Sequence, residues 1–327
     1  MKALVLTGKE QLKLVDKPVP VPAENEVAVR VVATAICRTD AKMWRSGHRD
    51  LVMPRVLGHE VCGSIEEAPG KLFAIWPGKA CGACEACRSG RENLCPAMQI
   101  TGFHHDGGFA EFLTVPRSSL LEVPKGLGAA MATLAEPLAC AVHAIKLCSI
   151  RRADRVLIYG AGTLGLLLAL AAVNRGASVT MCEPDATKLD KSAAFRNRYA
   201  IDVDNAQTSN GFDIAINATS SADTLASGIG RLTPGGRFCL FSGLGEAPES
   251  PATLFNDLHY RELELVGSYG CTKEDMRDAL RLLVRYGHDL GFLIERTISL
   301  DEVPSVMEEV LAGKGFRQII IDFSKKS

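Results

Sequence analysis

The sequence predicts an α/β protein in two parts, a β-rich N-terminal domain followed by a doubly wound parallel-sheet domain, and three observations carry that prediction. From about residue 155, apolar strands (RVLIY, SVTMC, FDIAINA, GRFCLF, ELELVGS) alternate with helix-patterned stretches, the mark of a parallel sheet covered on both faces. Before them, KALVLT, LKLVD and EVAVRVVATAI are rich in Val and Leu with partial alternation, which is strand patterning. Residues 156–165, VLIYGAGTLG, then join a strand to an apolar helix through Gly160, Gly162 and Gly165.

Each of these glycines has its own physical task. The first permits a tight turn, the second lets backbone N–H groups approach a pyrophosphate, and the third lets the helix pack close on its strand. Gly160, Gly162, Thr163, Leu164 and Gly165 are therefore the candidate dinucleotide turn, with the phosphates at the helix's positive end. Three glycines alone are a weak signal, because any parallel-sheet crossover uses glycines for packing. A second strand, SVTMC, strengthens it by ending at Glu183, eighteen residues beyond Gly165. A carboxylate there would accept hydrogen bonds from ribose hydroxyls and repel a 2′-phosphate, which predicts NAD rather than NADP. The competing reading is that Glu183 only opens a solvated turn with Pro184 and Asp185.

A chain of 327 residues, 47% apolar, is long enough for two domains with separate cores. A formal charge of −1 argues against nucleic acid or an acidic membrane surface as the main partner. No apolar run reads as a bilayer-spanning helix, and the opening MKALVLTGKEQLKLV alternates like a strand rather than a signal peptide. The expectation is a cytoplasmic protein. Eleven cysteines in so large a chain, four of them clustered, read as reduced thiols rather than a disulfide scaffold.

In chain order, the proline-rich VPVPA is a turn or edge segment. Cys37-Arg38-Thr39-Asp40 follows at the mouth of the third strand, and Gly58-His59-Glu60 leads into VCGSIEE. Cys37 and His59 thus both stand at loop–strand junctions, where side chains can converge. Cys81, Cys84, Cys87 and Cys95 have the spacing C-x2-C-x2-C-x7-C. Four thiolates can surround one tetrahedral zinc and leave no open position, which makes a closed structural site. Few apolar residues are present to hold this segment otherwise, so the lobe would owe its shape to the ion.

GGFAEFLTV reads as a turn and strand, and His104 and His105 before it as solvated loop residues. AAMATLAEPLACAVHAIKLC is helical, with Glu136 interrupting it just before Pro137. That carboxylate either caps a helix start or turns inward toward a cation, since burying it unpaired is costly. TPGGR, residues 233–237, fits a tight helix-to-strand return. The tail holds the helix KEDMRDALRLLVRYG, a strand-like FLIERTISL, the helix DEVPSVMEEVLAG and a last strand QIIIDF. Cys62, Cys140, Cys148, Cys182, Cys239 and Cys271 lack ligand spacing and read as buried small side chains.

Cys37, His59 and one of Glu60 or Glu136 make a catalytic zinc set, with one position left for water or substrate. Zinc in such a site acidifies a bound hydroxyl. Thr39 could relay the released proton outward, and Asp40 could orient His59. Trp44, Phe103 and Phe109 are candidate pocket residues, although aromatic side chains more often fill cores.

On these residues the chain resembles the zinc-dependent medium-chain dehydrogenase/reductase superfamily, which includes alcohol, sorbitol and threonine dehydrogenases. The likeness runs nearly the whole length: CRTD, GHE, CGACEACRSGRENLC, DGGFAEF, AEPLACAVHA, YGAGTLG and HYRELELVGSYG. It implies a GroES-like β-rich catalytic domain with both zincs (1–146), a Rossmann NAD-binding domain (147–270), and a C-terminal segment (271–327) returning to the first. It also implies an active site in the interdomain cleft and a homodimer or homotetramer acting on a small alcohol or ketone. Cys37 and His59 correspond to the first two zinc ligands and Thr39 to the proton-relay hydroxyl. Glutamates at both Glu60 and Glu136 resemble the polyol-type members, in which one ligates the metal and the other lies close by. Lys42 stands where some alcohol dehydrogenases carry a relay histidine, so the likeness does not extend to the outer proton path. Loops after EEAPG and between Arg198 and Phe212 are shorter than in most relatives.

The expected activity is hydride transfer between a secondary alcohol, polyol or sugar-like, and NAD, with two zinc ions per subunit. A threonine- or simple-alcohol-type dehydrogenase on the same scaffold is the alternative. A non-catalytic zinc- and nucleotide-binding scaffold is the alternative of another class.

Overall fold

Residues 1–245, 252–313 and 318–323 are described by a computed structural model, in which Met1–Ala139 with Cys271–Ser327 form one unit and Cys140–Gly270 another. The first unit is organised around the strand Glu26–Ala35, central in a seven-stranded sheet. Its Val27, Val29 and Val31 bury one face against Val61, Ile65, Ile75, Leu113 and Val115. Burial at every second position is what a strand with one face on a core demands.

Register in this sheet decides what meets at its end. Glu26–Ala35 pairs antiparallel with Glu60–Ser64, Ala35 opposite Glu60. On the other side it pairs antiparallel with the tail strand Gln318–Asp322, Ile320 opposite Ala35. One end of three adjacent strands is thereby built from residues near positions 36, 60 and 318. A second core lies under the three-stranded sheet that contains Lys2–Gly8 and Gln11–Asp16, with Leu4, Leu6, Met43, Phe109 and Met307.

The second unit holds a six-stranded, all-parallel sheet in the order Asp202–Val203, Ser178–Cys182, Arg155–Tyr159, Phe212–Asn217, Leu232–Leu240, Glu264–Gly267. Numbered along the chain this is 3-2-1-4-5-6, the doubly wound order whose direction reverses between strands 1 and 4. Leu157, Ile158, Ile214 and Ile216 are fully or nearly fully buried, as a sheet covered on both faces requires.

The structure departs from the sequence expectations at five places. Cys37 starts the helix Arg38–Ser46 rather than ending at a bare loop. The helix Ala252–Tyr260 has no counterpart in the sequence reading, because the two prolines preceding it look like loop. The strand Asp202–Val203 is too short to leave a periodic signal. The expected turn at 233–237 falls inside Leu232–Leu240, where pairing jumps from Leu232 to Arg237 while the partner advances only from Phe212 to Ile214; it survives as a bulge. Finally, Ala129–Leu147 is long and apolar enough to cross a membrane by length and composition, against the expectation of no such run. Two thirds of it is buried inside the fold (67%), which is the setting of a core helix.

Candidate metal centres and dinucleotide turn

The first centre forms where the three strand ends meet. Sγ of Cys37, a ring nitrogen of His59 and a carboxylate oxygen of Glu60 all lie within 4.8 Å of one another. Cys37 is the N-cap of Arg38–Ser46, and its sulfur accepts the Thr39 N–H (3.4 Å); a helix N-terminus favours a thiolate. His59 and Glu60 are buried. The Thr39 hydroxyl has no hydrogen-bond partner among the described residues.

Asp40 is completely buried and does more than face His59. Its Oδ2 accepts the Cys37 N–H (2.9 Å) and its Oδ1 the Gly58 N–H (3.2 Å). One carboxylate therefore ties together the two segments that carry Cys37 and His59. Oδ1 also stands 3.4 Å from His59 Nδ1, a charge contact, and Nδ1 is left buried without a hydrogen-bond partner.

Electrostatics at this centre favour a cation. Burial, and then the charge of Glu136, pushes the Glu60 carboxyl up to about 8. Burial, and then Glu60, raises the Cys37 thiol. Burial alone would lower the His59 imidazole, but Asp40 and Cys37 outweigh it and hold the ring well above its ordinary value. Buried acids that suppress one another's ionisation are stabilised by a cation among them. Thiol, imidazole and carboxylate are a donor set that zinc accepts, so the residues fit that ion.

Glu136 does not share the group. It sits in the first turn of Ala135–Leu147, close enough to act on Glu60, but its carboxylate lies within 4.8 Å of the Cys271 thiol instead. Sequence reasoning missed two residues here. Gln318, buried in the tail strand, donates from Nε2 to Glu60 Oε2 at 2.5 Å; a polar residue opening the all-apolar strand QIIID was the available signal. Cys271, read only as a small buried side chain, is buried but next to Glu136. Cys62, Cys148, Cys182 and Cys239 are buried, whereas Cys140 is only half-buried. Phe103, Phe109 and Trp44 all belong to the core, and of the three Phe103 lies edge-on to His59, ring centroids 5.5 Å apart.

The second centre is local. The sulfurs of Cys81, Cys84, Cys87 and Cys95 lie within 4.8 Å of one another, with Cys84–Cys87 at 3.4 Å and Cys81–Cys87 at 3.9 Å. Four sulfurs at ~2.3 Å from one tetrahedral ion stand about 3.8 Å apart, so this set also fits zinc. Backbone N–H groups of Ala83 and Cys84 hold the Cys81 thiol down to about 6. Glu92, inside the lobe, accepts the Lys273 N–H (3.0 Å) at the start of Lys273–Leu290.

In the second unit, the three glycines of the turn are distinct in structure. Gly160 has φ +106°, a conformation open to glycine. A Cβ on Gly165 would lie 2.0 Å from the Gly160 carbonyl oxygen, so only glycine lets helix and turn approach. Gly162, the N-cap of Thr163–Asn174, faces open space. Glu183 follows Ser178–Cys182 and is buried. Its Oε2 accepts the Ala161 N–H (2.8 Å) and its Oε1 the Asp185 N–H (3.0 Å), which brings a carboxylate against the glycine turn. Each oxygen keeps a second lone pair for a hydroxyl.

Comparison with known proteins agrees with this geometry. The alcohol dehydrogenase GroES-like domain family matches residues 23–125, and the zinc-binding dehydrogenase family residues 163–285. L-galactonate-5-dehydrogenase of Escherichia coli K12 is 31% identical over 306 residues, covering 86% of this chain and 87% of that protein. Sorbitol dehydrogenase of Halalkalibacterium halodurans is 29% identical, covering 98% and 99%. A Sinorhizobium meliloti protein described as a zinc-binding dehydrogenase and bound to NADP has a TM-score of 0.86 at 30% identity, covering 98% of both chains. With a GroES-like unit, a doubly wound parallel sheet and a relative of this identity along most of its length, the chain belongs to the zinc-dependent medium-chain dehydrogenase/reductase superfamily.

Proposed function

We propose that this protein is a zinc-containing, NAD-dependent dehydrogenase that interconverts a secondary alcohol of a polyol or sugar-like substrate and the corresponding ketone. The observation that carries the reading is the convergence of half-buried Cys37 with buried His59 and Glu60 in one group, drawn from the ends of two paired strands. The names of the galactonate and sorbitol dehydrogenases support a polyhydroxylated substrate. Residues 1–146 and 271–327 are assigned as the catalytic domain and 147–270 as the nucleotide domain. On the same reading the protein works in the cytoplasm as a homodimer or homotetramer, on small molecules.

Cys37, His59 and Glu60 hold the zinc, and Glu136 stands behind Glu60 as the nearby acid. When bound there, zinc supplies a Lewis acid that acidifies the substrate hydroxyl. Thr39 Oγ1, without a hydrogen-bond partner among the described residues, takes up the hydroxyl proton and passes it outward. Asp40 keeps Cys37 and His59 in register, and Gln318 fixes the orientation of Glu60. Cys81, Cys84, Cys87 and Cys95 hold the structural ion. Gly160, Gly162, Thr163, Leu164 and Gly165 receive the pyrophosphate, and Glu183 the adenosine ribose.

The test is an activity screen of sorbitol, threonine and 2-butanol with each nucleotide, alongside elemental analysis. Oxidation of sorbitol with NAD by a protein carrying two zincs supports the reading. One metal and no reduced nucleotide with any alcohol supports the scaffold reading instead. Cofactor choice is tested separately, because the Sinorhizobium relative binds NADP. Glu183→Gln keeps an acceptor for the Ala161 N–H but removes the charge. An NAD preference of about tenfold or more in kcat/KM, narrowed in this variant, is the expected outcome; an unchanged ratio contradicts the role given to Glu183.

A further inference from the structure

Around His48, which packs on Phe103, three nitrogen donors have no acceptor among the described residues. His48 packs edge-on against Phe103, centroids 5.3 Å apart at 84°. Its Nδ1 accepts the Asp50 N–H (3.2 Å), which leaves the ring proton on Nε2. His104 accepts the Ile100 N–H through Nδ1 (3.0 Å), so its Nε2 also carries the proton. Lys42, exposed on the helix Arg38–Ser46, has no ion-pair partner among the described residues. Lys42 and His104 both stand close enough to His48 to act on its charge. The Asp50 carboxylate is paired with Arg49 (3.4 Å) and faces the proton-free Nδ1 of His48 (3.7 Å), so it does not take up the Nε2 proton.

These donors come from three separate segments: the helix that Cys37 caps, the loop after it, and the turn following Gln99–Ile100. Both histidines are locked in one tautomer by backbone N–H groups, and Phe103 is rigidly buried between His48 and His59. A merely solvated basic surface has no need of fixed imidazole donors beside a metal ligand. We infer that Lys42, His48 and His104 form an anion-recognising rim one aromatic ring away from the metal centre, and that the substrate is a polyol with an anionic end group, a carboxylate or a phosphate. The inference rests on the dehydrogenase reading above and names the substrate class of the same site. An anionic end held at the rim places a carbinol carbon further along the chain toward Cys37, His59 and Glu60. The bond from charged Lys42 to carboxylate or phosphate is the stronger kind, and the exposure of that lysine makes it sensitive to salt; the two imidazoles add neutral N–H donors.

The experiment compares a hexitol, the matching aldonate and the matching hexitol phosphate on the zinc-loaded protein, by turnover and by calorimetric binding. An anionic substrate should exceed the neutral one by about tenfold in kcat/KM, and raising the ionic strength should raise its KM while leaving that of the neutral hexitol unchanged. Lys42→Met with His48→Gln should remove that advantage and weaken calorimetric binding of the anion by a similar factor, with turnover of the neutral hexitol retained. A preference for the aldonate assigns the end group as carboxylate, and a preference for the phosphate ester assigns it as phosphate. Equal use of all three, with no salt effect and no change in the variant, overturns the rim while leaving the dehydrogenase intact. Failure to oxidise any alcohol, with anion binding that still depends on Lys42 and His48, overturns the dehydrogenase reading and upholds the rim.

Discussion

The two cysteine-containing centres of the first unit are built on opposite principles. The four-cysteine lobe is closed by fifteen consecutive residues, and its own backbone N–H groups point at its sulfurs: Cys84 N–H to Cys81 and Cys81 N–H to Cys95, both at 3.4 Å. The Cys37–His59–Glu60 centre has no such local frame. It depends on the pairing of Ala35 with Glu60 and on Asp40, which staples two of the segments, while the pairing of Ala35 with Ile320 brings Gln318 to Glu60. One centre is encoded in spacing and the other in register. Loss of an ion from the first should therefore cost stability, and loss from the second should cost chemistry.

The largest effect that separates them is expected for Cys37→Ser. Removing a thiolate ligand from the open centre should lower kcat/KM by about a thousandfold or more, the worth of a Lewis acid of several kcal/mol. Elemental analysis should show one zinc per chain instead of two, with the melting temperature little changed. Cys95→Ser should do the reverse. Losing the lobe ion is expected to lower Tm by about 10 °C, a cost near 3 kcal/mol, while folded molecules at low temperature keep their kcat. Thermal melting and single-temperature kinetics on the same samples check both halves.

A subtler break uses the residues that hold the register-built centre together. Asp40→Asn leaves one acceptor and one donor where two N–H groups must be received, so metal affinity at that centre should fall by about 10- to 100-fold. Competition with a chelator measures it, and the lobe zinc should be unaffected. Gln318→Leu should have the smallest effect, about 1 kcal/mol of stability, because Glu60 loses one hydrogen bond but keeps its other contacts. Urea unfolding of the zinc-loaded protein reads that difference.

The same contrast governs what was legible in the sequence. The convergence of Cys81, Cys84, Cys87 and Cys95 can be read from spacing, as can the glycine turn, because both lie within a few residues of chain. The parallel sheet was readable from alternating strands and helices, but its shortest strand, Asp202–Val203, was not. For the open centre, Cys37 and His59 stood out, yet the choice between Glu60 and Glu136 depended on pairing that no local pattern records. Asp40 was readable as a carboxylate near His59. That it also binds the Cys37 and Gly58 backbones follows from where a helix begins, which the strand pattern before Cys37 does not record. Gln318 lies 258 residues from Glu60, and no spacing rule reaches that far.

The most direct measurement is zinc-edge anomalous diffraction from crystals of the zinc-loaded protein. The account predicts two peaks per chain, one among the four lobe sulfurs and one at about 2.0–2.3 Å from Cys37, His59 and Glu60. A single peak at the lobe, or a second peak seated on Glu136 and Cys271 with Glu60 turned away, would contradict it.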